Sequence, residues 1–205
     1  MTAAPGRRTQ AERRTATRSA LVRATVGSLV ELGYARTTTQ EVQSRAGVSR
    51  GALTHHFTTK AELVLAAADH LYAEFSEDVR KAAAGLPADP GTRIRLGLAL
   101  IWERFDGPLF TASMELWTAA RTDPELRAAL LPHERRLGAQ LRELSVEVFG
   151  EQVARHPSAE AVYLVLLTSM RGQALTSALQ PGAHREGPYL QHWLTIVEAV
   201  APAVV

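Results

Sequence analysis

Between Thr37 and Lys60 the chain runs TTTQEVQSRAGVSRGALTHHFTTK, a stretch whose guanidinium, hydroxyl, imidazole and amine groups suit recognition of duplex DNA. Arg50 has the guanidinium fork that bonds guanine O6 and N7 together. Gly51 beside it lacks the side chain that would hold a helix backbone away from a groove. Thr38, Thr39, Ser49, Thr54, His55 and Lys60 supply donors for phosphate oxygens. As metal ligands His55 and His56 are poorly spaced, because adjacent residues diverge on a helix whereas metal-binding histidines stand four apart. His56 is instead expected to pack near Phe57 or bond backbone. No phosphate loop, GxSxG elbow or HExxH helix occurs in the sequence, so neither an enzyme nor a cofactor or metal site is expected.

These groups work only if short helices present them. Thr38 caps a helix, and Glu41 three residues on is placed to return a bond to the cap amide. Gly47 ends that helix in a left-handed conformation, with Val48 as an apolar plug. Ser49 then starts a second helix, over about 50–57, by accepting from the amide of Gly51 or Ala52. Val42, Ala46, Val48, Leu53 and Phe57 recur at spacings that bury one side of the pair, which leaves Arg50, Gly51, Thr54 and His55 outside. Thr59 and Glu62 repeat the capping pattern, and Lys60 in that first turn sits where phosphate is favoured. In the preceding helix Gly27 costs roughly 1 kcal/mol relative to alanine, which close packing on a neighbouring helix explains.

Charge separates the chain at the same place. Residues 1–60 hold ten Lys plus Arg against three Asp plus Glu, while residues 61–205 hold thirteen against eighteen. A basic head on an acidic body is what phosphate attraction by counterion release requires. Domains are therefore expected at 1–60, a flexible arm plus DNA-binding head, and 61–205, a helical body. The arm carries Arg7 and Arg8 and either lies along DNA or is a solvated end.

The run from Leu21 to Leu65 resembles the N-terminal domain of the TetR family of transcriptional regulators. The resemblance covers about a quarter of the chain and rests on Gly33-Tyr34, the paired threonines before the second helix, Ala46-Gly47-Val48-Ser49, Gly51, His56-Phe57 and Lys60. It implies an all-α homodimer that represses transcription from a two-fold operator until a small-molecule effector in its C-terminal domain changes the spacing of its heads. Thr54 departs from the pattern, since the family usually has a tyrosine after the leucine; it reaches less far towards phosphate.

Beyond Lys60 every regular segment is helical. A long helix over about 62–84 links head to body, Gly85 to Gly91 break it, and helices follow over about 92–104, 108–121, 124–147, 158–179 and 188–201. Trp102, Phe105, Phe110, Met114, Trp117 and Met170 form a soft apolar group suited either to ordinary core or to an effector pocket. The resemblance favours the pocket for Phe110, Met114 and Trp117. Arg121, Arg171, Gln173 and His133 are the polar candidates for orienting an effector, although Arg121 also suits a helix C-terminus and Arg171 a carboxylate partner such as Glu115. In the last two helices Val162, Leu166, Ser169, Gly172 and residues 174–179, Leu175 among them, with Leu190, Trp193, Leu194 and Val197, form a small-residue seam beside apolar ridges. The resemblance implies dimerisation there as a four-helix bundle, and reading two major grooves about 34 to 36 Å apart demands a dimer.

The chain has no cysteine, which removes disulfides and thiol chemistry. It shows neither a bilayer-length apolar run nor the apolar core of a secretory signal, so a cytoplasmic location and no membrane partner are expected. A helical ligand-binding or assembly protein that no longer recognises an operator is the alternative.

Overall fold

A computed structural model describes residues 9–105, 107–177 and 188–200, and ten α-helices lie among them with no strand. They are α1(Gln10–Arg36), α2(Thr39–Ala46), α3(Arg50–His56), α4(Lys60–Ala83), α5(Pro90–Trp102), α6(Pro108–Ala120), α7(Pro124–Phe149), α8(Glu151–Ala154), α9(Ala159–Ser177) and α10(Tyr189–Val200). The expected helices are present with ends moved by a few residues, and the short α8 is additional. The arm at residues 1–8 and the seam residues 178 and 179 lie outside the described residues.

Helix ends follow local chemistry. Thr9 and Glu12 form a capping box at α1, and Thr59 with Glu62 form the expected one at α4, Glu62 N–H donating to Thr59 Oγ1 at 3.1 Å. At α2 the expected box is half made. Thr38 Oγ1 accepts from Glu41 N–H at 3.1 Å, but the Glu41 carboxylate pairs with Arg45 at 3.2 Å, and the Thr38 amide donates to Arg36 O instead. The cap amide is satisfied locally, so the acid is released to the cation one turn on. Gly33, at φ 79, interrupts α1 before a last turn through Arg36. Gly47, at φ 65, ends α2 as expected.

The chain divides into two compact units, residues 1–71 with 111–133, and 72–110 with 134–205. The first is thus larger than the head expected at 1–60, because most of α6 and the start of α7 join it. Leu21, Val22, Ala24, Val42, Leu53, Phe57 and Leu63 form a buried core there, with Ala46 and Val48 against it. Gly27 is explained by Arg45. A Cβ at Gly27 would stand 2.9 Å from Arg45 Nη1, whose guanidinium crosses α1 to reach Glu31 at 2.8 Å.

In the second unit a cluster of Ile94, Leu98, Trp102, Leu166, Met170, Trp193, Leu194 and Val197 joins α5, α9 and α10, with Phe105, Phe110, Val162 and Leu190 packed on it. Gly97 lets α5 approach closely, since a Cβ there would meet Phe149 Cε1 at 2.8 Å. This core corrects the seam. Leu166, Trp193, Leu194 and Val197 are buried in the chain's own interior, and the Trp193 indole donates to Ser169 Oγ at 2.9 Å. Of the seam residues on α9, Ser169, Gly172 and Leu175 are exposed. They continue a different stripe, Ala161, Leu164, Val165 and Thr168, spaced three and four apart. Helix α9 is apolar on more than one side, so apolar spacing alone could not say which side faces inward.

Candidate nucleic-acid interface

Helix α3 is held by its buried side and open on the other. Leu53 and Phe57 are buried with Val42 of α2, whereas Arg50, Gly51, Thr54 and His55 are exposed, as their spacing predicts. Ser49 caps the helix, its hydroxyl accepting from Ala52 N–H at 3.2 Å. Nothing stands within 4 Å of a Cβ built at Gly51, so the backbone face beside Arg50 is unobstructed. Thr38 and Thr39, at the start of α2, are also exposed. A guanidinium and a hydroxyl thus stand at the start of α3, an imidazole in its last turn, and two further hydroxyls at the start of α2.

Two expected contacts are altered by internal bonds. The Thr54 hydroxyl donates back to Arg50 O at 3.1 Å and Gly51 O at 3.2 Å, so its proton is already engaged. Lys60 donates to Tyr34 O at 2.8 Å and lies 3.7 Å from the centre of the Tyr34 ring. Burial accordingly lowers its pKa, opposed by the nearby Asp123 carboxylate. The ammonium therefore works first as a structural clamp. His55 and His56 stack edge to face at 5.4 Å; burial, then the charges of His55, Arg14 and Arg18, lower the pKa of His56.

The clamp belongs to a larger junction, on residues whose role sequence spacing did not reveal. The Tyr34 amide donates to Glu115 Oε2 at 2.7 Å, and its phenol donates to Asp123 Oδ2 at 3.2 Å. Gly33 makes room for this, because a Cβ there would stand 2.7 Å from Glu115 Oε2. Burial first, then Asp123, push the Tyr34 phenol up to about 12. The end of α1, the start of α4 and helix α6 are tied together at this point. The Gly33-Tyr34 pair and Lys60 were visible in the sequence; Asp123 was not, and Glu115, expected as a partner for Arg171, instead accepts from the Tyr34 amide.

The soft residues expected to line an effector pocket are divided between the units. Trp102, Phe105, Phe110, Met170 and Gln173 belong to the second, Met114, Trp117 and Arg121 to the first. In the second, Trp102 packs on Trp193 at 4.7 Å and Phe105 on Phe110 at 5.6 Å, with Met170 buried beside them. His133 is buried, its Nε2 3.1 Å from Asp69 Oδ1. Arg121 is exposed.

An all-helical chain with a capped, basic, outward-facing second helix after a tight glycine turn is a helix-turn-helix regulator by architecture. Residues 21–67 match the profile of the bacterial regulatory proteins of the tetR family. The HTH-type transcriptional regulator CymR of Pseudomonas putida is 36% identical over 182 residues, covering 88% of this chain and 89% of that protein. The HTH-type transcriptional repressor AcnR of Corynebacterium glutamicum is 31% identical over 169 residues, covering 82% and 83%. Among solved structures, a transcriptional regulator from Pseudomonas aeruginosa PAO1 shares the fold with TM-score 0.68 at 23% identity, covering 95% of this chain and 94% of that one. The multidrug binding protein EbrR, complexed with ethidium, does so with TM-score 0.59 at 23% identity, covering 90% and 97%. The chain belongs to the TetR family of bacterial transcriptional regulators.

Proposed function

We propose that this protein is a dimeric repressor that reads a two-fold operator through α3 and is released by a small-molecule effector. The observation that carries this reading is the outward set Arg50, Gly51, Thr54 and His55 on a helix fixed from behind by Leu53 and Phe57. Arg50 reads guanine, while Thr38, Thr39, Ser49 and His55 position the phosphates; Thr54 and Lys60 contribute less because of their internal bonds. A repressor among the relatives supports the sign of regulation.

Dimerisation uses the exposed side of α9. Leu164, Val165 and Leu175 are 48%, 51% and 51% exposed, beside Gly172, where a Cβ would meet nothing within 4 Å. Small residues beside apolar ones permit close helix approach. The effector is apolar or aromatic, taken by residues of the soft group. That EbrR binds ethidium supports a family body able to accommodate such molecules. Release is a population shift: the effector lowers operator affinity only by the difference in its own affinity for the two dimer states. Reading duplex DNA in this way places the protein in the cytoplasm.

Footprinting on the region upstream of the protein's own gene tests the proposal. Protection of two half-sites about 34 to 36 Å apart, or a multiple of that, by one dimer is expected. Protection of a single half-site by a monomer would overturn it.

A further inference from the structure

Inside the first unit, between α1 and the first half of α4, lies an open cleft of about 430 Å³. Its walls are Arg14, Thr15, Arg18 and Ser19 from α1 and Asp69 and His70 from α4, over a floor of Val22 and Ala66. Residues 14, 18 and 22 recur four apart, as do 66 and 70, so each helix turns one continuous face to the cleft. The volume lies within the usual range for small-ligand sites, about 300 to 1,000 Å³.

The lining selects an anion. Arg18 sits with Cζ 5.2 Å from the centre of the Phe57 ring, and a guanidinium lying over a ring keeps its in-plane N–H groups for other acceptors. Arg14 adds a second fork. Among the described residues no carboxylate pairs with either of them, and the one acid in the wall, Asp69, is engaged by His133. The remaining lining is specific in a different way. Thr15 and Ser19 offer hydroxyls, which can both donate and accept, and Val22 with Ala66 suits a short apolar stem.

We propose that the α1–α4 cleft binds a small metabolite carrying a phosphate or carboxylate group beside a hydroxyl donor, at a site separate from the effector-lining residues. Because Arg18 also rests on Phe57, the residue that ends α3, occupancy bears directly on the recognition helix. Arg14 and Arg18 already impose their charge on His56 there, and a bound anion relieves it. The site stands on the head alone and does not depend on dimer release by an effector.

Calorimetry on the full chain with glycerol 3-phosphate, and separately with inorganic pyrophosphate, at constant ionic strength tests this, with the His70 imidazole resonance as a local reporter. The expected result is saturable binding at one site per chain, movement of the His70 signal, and at least tenfold weaker binding in Arg14→Gln. Arg14→Lys retains part of the affinity, and Arg36→Gln, at the other end of α1, leaves it intact. Circular dichroism establishes that each variant is folded. Unsaturable heats, or equal losses in Arg14→Gln and Arg36→Gln, would show diffuse charge screening and overturn the site. So would weaker duplex binding with a smaller salt dependence in Arg14→Gln while its response to the anion is unchanged, since Arg14 would then be a DNA backbone contact.

Discussion

At the level of single residues, the division of labour on α3 is decided by which polar groups are already engaged. Arg50 is exposed and aimed outward by the burial of Leu53 behind it. Arg50→Ala is expected to cost roughly 1 to 3 kcal/mol at a specific operator and to relax sequence preference, with the thermal midpoint unchanged. Thr54 is the contrasting case. Its hydroxyl bonds Arg50 O and Gly51 O, so Thr54→Val should move operator affinity by no more than about 0.5 kcal/mol, the range for exposed substitutions without a special role. Competition binding of both variants to one operator separates them, and a larger loss in Thr54→Val than in Arg50→Ala would reverse the assignment. The sequence showed which residues lie outward, because apolar spacing at Val42, Leu53 and Phe57 determines that. It did not show that Lys60 turns to Tyr34, because that bond depends on how the start of α4 meets the end of α1.

Among the elements, the junction of α1, α4 and α6 carries consequences for stability. Gly33→Ala forces a side chain into φ 79 and against the Glu115 carboxylate, a cost of about 1 to 3 kcal/mol for the backbone strain alone. Gly47→Ala, at φ 65 with open space around it, incurs only the strain. Thermal unfolding of both variants should therefore rank Gly33→Ala as the more damaging; equal midpoints would show that Glu115 does not crowd that glycine. The same junction sets an alkaline limit. The Tyr34 phenol ionises at 10.0 when unperturbed and about 12 in the folded chain, so folding favours its protonated form. That contribution is complete below pH 10.0 and is lost as the pH rises to about 12. Denaturant unfolding across that window should show a steeper loss of stability in the wild type than in Tyr34→Phe, and parallel slopes would remove Tyr34 from the account. Helix positions were legible because caps, prolines and glycines are local signals. The inward side of α9 was not, since a helix apolar on several sides needs its neighbours α5 and α10 to choose one.

For the whole molecule, the proposed function needs two heads, and the proposed interface is the apolar stripe of α9, where Leu164, Val165 and Leu175 are about half exposed. Leu164→Glu together with Leu175→Glu places charges where both side chains are about half exposed, so the chain should remain helical by circular dichroism while sedimentation shifts from dimer to monomer. A dimer that survives this pair of substitutions would move the interface elsewhere. The charge contrast between residues 1–60 and the remainder was legible from the sequence and remains the broadest sign of a DNA partner, yet charge alone supplies affinity without preference. Sequence preference is therefore the quantity to measure. Titration of the wild type and of Arg50→Ala against the upstream palindrome and against a scrambled duplex, across a range of salt concentrations, isolates it. The wild type is expected to prefer the palindrome at every salt concentration, and Arg50→Ala to lose this preference while keeping nearly the same salt dependence. Equal affinity of the wild type for both duplexes would contradict the proposed operator reading.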